Sequence, residues 1–233
     1  MIVVQAGSLG EPASRLLAAV AARGHELHAR PEAAAASERP VPAGAPVVLA
    51  VSDGPFVLDA AGALRALGPS DVRLLVISRL GSHPDARVPA LQRLWRLEEH
   101  ARSVGLPALT LRLSPLVGPD TPLWRKLRSR PPLPRGGRKI LNPVAESDAV
   151  ETLLRALDGR AAWEGWYEVA GPDAASLAEL RDLAASTFGR MDGEWEPPLE
   201  EMAEHRLAES DPWAAHFGIV PTPLGALAPG VAR

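Results

Sequence analysis

Apolar and polar positions along the chain alternate between two periods. Ile2 to Gln5 is a short apolar run read as a buried strand. From Ala13 to Arg23, Leu16, Leu17, Val20 and Ala21 recur at helical spacing, and Gly24 can close that helix. His25 to Ala29 reads as a second strand, and residues 30–46, rich in Ala, Pro and Glu without a period, read as a loop. PVVLAVS from Pro46 predicts a strand, Val57 to Leu67 a helix, and VRLLVIS from Val72 the clearest buried strand. A helix follows from Pro89 to Val104, with Leu91, Leu94, Trp95, Glu98 and Ala101 on related faces, and then a strand from Leu109 to Leu113. Strands that are apolar throughout and alternate with helices predict a parallel sheet covered on both faces.

The pattern changes after Gly118. Residues 121–139 are rich in Pro and in basic side chains. Ser147 to Leu157 predicts a helix ended by Gly159, and Gly165 to Ala170 a short strand. Ser176 with Glu179 three residues on is a capping box, which opens a helix that Gly189 closes. One more short helix precedes the turns at Pro221 and Pro223. This reading divides the chain into a sheet domain, 1–120, and a smaller mixed lobe, 121–233, that walls a cleft.

Composition narrows the chemistry. The chain has 233 residues, 46% hydrophobic, enough for a full core. It has no cysteine, which excludes disulfides, thiolate nucleophiles and Cys-based metal sites. A net charge of −3 argues against bulk nucleic-acid binding. The six histidines form no metal-ligand spacing with a third ligand, so no metal is expected. No apolar run is long enough to span a bilayer, and the amino-terminal run lacks a basic flank. The expected location is cytoplasmic.

Gly7, Gly10 and Ala13 make a G-x-x-G-x-x-A turn between the first strand and helix. Such a turn lets a pyrophosphate approach backbone N–H groups at a helix N-terminus. Ser8, Glu11, Pro12 and Ser52 would border the same nucleotide. Glu11 sets a carboxylate where phosphate charge would sit, and Pro12 has no N–H to give. The second strand ends in His28 and Arg30 rather than the acid that would hold a ribose hydroxyl. The cofactor expectation is therefore NADP, through Arg30, or none.

With these residues in view, the chain resembles the atypical and extended short-chain dehydrogenase/reductases, in particular the NmrA-like proteins and the complex I NAD(P)-binding accessory subunits. GSLGEPASRLLAAVAARGHEL is similar to their nucleotide turn and first helix. Ser78 and Gly81 match a Ser-x-x-Gly strand end, and Arg112, Ser114, Gly118 and Pro119 match a Leu-Arg-Pro-Ser…Gly-Pro stretch. Pro143, Val144 and Asp148 match a Pro-Val…Asp-Val segment, and HFGIVPTPLGALAP is similar to the accessory subunits' tail. The resemblance implies a Rossmann-like doubly wound sheet, shortened at one edge because residues 30–46 leave no room for a further strand and helix. It also implies a Tyr-x-x-x-Lys pair with a Ser, but Ala90 and Leu94 stand at the Tyr and Lys positions and only Ser78 is retained. Tyr167, the chain's one tyrosine, falls in the second lobe, as do Trp163, Trp166 and Trp195, which read as core or interface packing.

The expected function is thus a catalytically silent protein with an accessory, regulatory or binding role. The alternative is an NAD(P)H-dependent oxidoreductase or isomerase using other groups, with Ser78, Asp53 and Arg112 as candidates. Arg125, Lys126, Arg128, Arg130, Arg135, Arg138 and Lys139 form a basic stretch without an intervening acid. It reads as a solvated loop, or as a patch for a phosphate-bearing small molecule or an acidic partner. Trp124 is its sole aromatic neighbour, which argues against single-stranded nucleic acid. Leu91, Leu94 and Trp95 are candidate contacts in a homodimer.

Overall fold

The structure is a computed structural model that describes residues 1–6, 11–30, 46–51, 71–189 and 205–227. Six strands form one sheet: β1 (Ile2–Ala6), β2 (Glu26–Arg30), β3 (Pro46–Val51), β4 (Asp71–Arg79), β5 (Ala108–Leu113) and β9 (Trp166–Val169), in the order β2-β1-β3-β4-β5-β9. Registers such as Val3↔Leu27, Val3↔Val48 and Leu49↔Leu74 are parallel. At the other end Thr110 N–H donates to the Gly165 carbonyl and Ser114 N–H to that of Val169, a constant offset that makes β5 and β9 parallel too. Among the described residues β2 is the outermost strand on its side.

Side-chain alternation explains why these strands are apolar throughout. Leu74 and Val76 pack with Ile2, Val47 and the helix α2 (Pro89–Ser103) through Leu91, Leu94, Leu97 and Ala101. Leu75 and Ile77, on the opposite face of β4, are equally buried. Both faces of the strand are therefore covered. The helix α1 (Glu11–Ala21) buries Ala13, Leu16, Leu17 and Val20, the stripe that its sequence period predicts.

The chain divides into two compact units, Met1–Arg112 with Thr152–Tyr167, and Leu113–Glu151 with Glu168–Arg233. The sequence division at 120 leaves out the return of Thr152–Tyr167 to the first unit. The physical reason is the pairing of β9 with β5, which no local period announces.

The second unit contains α3 (Pro122–Arg128), the first turns of α4 (Glu146–Leu157), α5 (Leu177–Phe188) and α6 (Asp211–Phe217), and the rest of α4, from Thr152, belongs to the first unit. The second unit also contains the two-residue strands β6 (Leu116–Val117), β7 (Ile140–Leu141), β8 (Val144–Ala145) and β10 (Ala175–Ser176). β6 pairs with β8 and β7 with β10. Its core joins Val117, Leu123, Trp124, Leu127, Leu141, Leu177, Leu180 and Leu224. The start of α5 is the expected capping box: Glu179 N–H donates to Ser176 Oγ and Ser176 N–H donates to Glu179 Oε2. At Gly171 a Cβ would lie 2.2 Å from the Pro143 carbonyl oxygen, so only glycine allows that backbone approach. No helix among the described residues is long and apolar enough to cross a membrane.

Candidate functional site

The polar centre of the first unit is built from β4, α2, β5 and the segment entering β9. Ser78 lies one residue before the end of β4, and Glu98 sits on the core face of α2, four residues after Leu94. Both are 1% exposed. Ser78 Oγ donates to Glu98 Oε1 at 2.6 Å. Arg112 on β5 holds the same carboxylate with both arms of its fork, Nη2 to Oε2 at 2.6 Å and Nε to Oε2 at 3.0 Å. The guanidinium lies 4.4 Å from the centroid of the Trp166 ring, so the indole covers its outer side. Ser82 stands 3.0 Å from Ser78 Oγ and donates its own proton to the Arg79 carbonyl.

Proton counting decides what Ser78 can do. A hydroxyl carries one proton, and that of Ser78 goes to Glu98. Glu98 is an anion held by Arg112, so it accepts and has nothing to pass on. The set is closed: carboxylate, hydroxyl and guanidinium satisfy one another beneath an aromatic lid. Ser78, near the end of β4, is thus tied to the Glu98–Arg112 pair. It serves the buried ion pair.

Position along the helix gives the same result. Ala90 precedes Glu98 by two helical turns, about 12 Å at 1.5 Å per residue. Ser78 thus bonds two turns away from Ala90, the position at which the resemblance places a Tyr. Leu94 is 6% exposed and belongs to the hydrophobic cluster of α2 and the sheet. Neither Ala90 nor Leu94 can hold a ribose hydroxyl or move a proton.

The remaining candidates fall as follows. Gly7, Ser8, Gly10, Ser52, Asp53, the helix expected over 57–67 and Trp195 lie outside the described residues. Glu11 opens α1 with Pro12 after it, and Arg30 ends β2. Trp163, Trp166 and Tyr167 belong to the first unit rather than to a second lobe. Trp163 Nε1 donates to the Leu74 carbonyl, its ring lies 5.9 Å from the Arg73 guanidinium, and Trp166 is 53% exposed. Burial, and next the Glu164 carboxylate, raise the Tyr167 phenol above its usual range. Trp95 is half-buried on α2.

The basic stretch is not a uniform solvated loop, because Leu123, Trp124 and Leu127 make Pro122–Arg128 a helix with a buried stripe. Lys126 is 6% exposed, Arg128 Nε donates to the Gly189 carbonyl, and Arg130 pairs with Asp182 at 2.9 Å. Arg125, Arg135 and Arg138 are exposed.

Sequence reasoning named Glu98 and Arg112 separately and missed their pairing. The available signal was a single acid among the apolar positions of α2 and a single cation in ALTLRL. Trp166 gave no signal, since its approach to Arg112 depends on β9 lying beside β5.

No protein-family model and no curated protein sequence matches the chain. Solved structures do. UDP-glucose 4-epimerase of Thermus thermophilus, in complex with NAD, is 16% identical over 99% of this chain and 98% of that one, with a TM-score of 0.62. ADP-L-glycero-D-manno-heptose-6-epimerase of Helicobacter pylori is 13% identical over 95% and 91%, with a TM-score of 0.62. dTDP-glucose 4,6-dehydratase of Bacillus anthracis, in complex with NAD, is 12% identical over 95% and 91%, with a TM-score of 0.61. The chain shares the Rossmann-like fold of these epimerases and this dehydratase.

Proposed function

We propose that this chain is a catalytically silent member of that fold class with an accessory, regulatory or binding role. One observation carries the reading: the retained Ser78 gives its only proton to Glu98, which Arg112 holds, while Ala90 and Leu94 offer no acid or base. What remains of the catalytic region works as an internal brace. The test is a titration of the protein with NADPH and NADH, read by tryptophan fluorescence and calorimetry, together with a turnover assay over carbonyl, quinone and sugar-nucleotide substrates. Absence of turnover supports the proposal; robust turnover overturns it.

The likeness to epimerases and dehydratases crystallised with NAD favours a second reading, a nicotinamide-dependent oxidoreductase or isomerase with a non-standard site. Arg30 at the end of β2 would then favour NADP. Micromolar cofactor binding together with turnover that survives Ser78→Ala supports this second reading.

A further inference from the structure

We infer that the turn Pro134–Lys139 and the neighbouring β7 ladder form a docking surface for an acidic polypeptide segment with apolar side chains. The inference is independent of whether the fold has kept a cofactor.

The first observation is backbone strain without an internal return. Arg130 and Arg135 are the described non-glycine residues with positive φ, 53° and 51°. Arg130 has a structural reason. Its N–H donates to the Leu127 carbonyl as α3 ends, and its side chain pairs with Asp182. Among the described residues Arg135 has none. It begins a left-handed run with Gly136 and Gly137, where glycine or asparagine is the ordinary choice, and its exposed side chain makes no bond to the described residues. A residue held in a sparsely populated conformation without a local partner points to function. Arg138, three residues on, is likewise exposed and unpaired.

The second observation is the apolar surface beside this turn. Leu141 bridges Arg206 in parallel, Arg206 N–H donates to the Ile140 carbonyl, and Asn142 N–H donates to the Arg206 carbonyl. Side chains alternate along such a ladder. Leu141 and Arg206 face inward, at 0% and 7% exposure, and Ile140 and Leu207 face outward, at 37% and 57%. Because Arg206 turns its N–H and carbonyl toward β7, those of Leu207 turn away, to an edge that an extended peptide can join.

Two unpaired guanidinium groups followed by an exposed Ile–Leu face match a polypeptide with acidic and apolar residues better than they match other anions. A bare phosphate has no use for Ile140 and Leu207. A nucleic acid calls for aromatic stacking, which this face lacks among the described residues. A membrane surface calls for an amphipathic helix, whereas these apolar residues stand on a strand.

The test uses the full chain and a fluorescein-labelled peptide of alternating glutamate and valine, with a glutamine–valine peptide as control. The acidic peptide is expected to bind, more weakly as salt rises. Arg135→Glu with Arg138→Glu should weaken it on the order of tenfold, a typical effect of losing charged contacts. Leu207→Asp should weaken it similarly without unfolding the chain. Arg135→Gly is the sharper variant, because it should raise the thermal midpoint while lowering affinity. Failure of the acidic peptide to bind, or equal binding of the control peptide, overturns the inference. So does pyrophosphate binding that Leu207→Asp leaves unchanged, which would mark a bare-anion site. Sedimentation with phosphatidylserine vesicles in the absence of peptide binding overturns it in favour of a lipid surface.

Discussion

The polar centre at Glu98 and the basic turn at Arg135 use the same ionic materials in opposite ways. At Glu98 every charge has an internal partner: the carboxylate takes the Ser78 proton and the Arg112 fork, and Trp166 covers the cation. At the turn, Arg135 and Arg138 are exposed without a bond to the described residues, and Arg135 sits on backbone that favours glycine. A buried pair fixes its neighbours, and removing one member leaves the other desolvated and alone. An unpaired exposed cation contributes nothing comparable to stability and is available to something outside. The first region reads as an internal brace, and the second as exposed charge held at some loss of stability.

Substitutions can break or sharpen this contrast. Arg112→Met, which strands the Glu98 carboxylate, should lower unfolding free energy by about 3–5 kcal/mol. A double-mutant cycle with Glu98→Gln should recover part of that loss, and additive losses in chemical denaturation would refute the coupling. Leu94→Lys, which places the Lys of the resemblance in the apolar cluster, should cost about 3 kcal/mol, because Leu94 is packed in the α2 cluster. Reductase activity appearing in Ala90→Tyr/Leu94→Lys would overturn the silent reading of this region.

The smaller effects test the second unit and the alkaline range. Ser176→Ala should cost about 1 kcal/mol by removing the Oγ of the capping box. Arg135→Gly should gain about 1 kcal/mol, opposite in sign to every change at the polar centre. The smallest effect concerns pH. The Tyr167 phenol is raised above its usual 10, so the fold favours its neutral form. That contribution is fully present below the unfolded value and is lost as pH rises through the folded one. Absorbance titration of this single tyrosine should place its ionisation later in the folded chain than in denaturant.

How much of this was legible depends on the range over which the signal acts. VRLLVIS announced β4 because a strand buried on both faces has no polar positions to interrupt it, and Ser176 with Glu179 announced α5 because a capping box is complete within four residues. PLWRKLR hid its helix, since the buried stripe of Leu123, Trp124 and Leu127 is interleaved with Pro and cations that resemble a loop. The strands β6, β7, β8 and β10 have two residues each, too few to show a period. The Ser78–Glu98–Arg112–Trp166 set joins a strand, a helix, a second strand and an edge. Its members are legible one by one, but their meeting is a property of the topology.

The division of the chain has a consequence for synthesis. Because Thr152–Tyr167 belongs to the first unit and Leu113–Glu151 to the second, neither is continuous in sequence. On the ribosome, β5 emerges long before the outer strand beside it, so Arg112 waits for Trp166 and the early sheet shows a raw edge. A nascent chain arrested near Leu113 would be the species most in need of a chaperone, and splitting the gene at that point would yield no self-sufficient product.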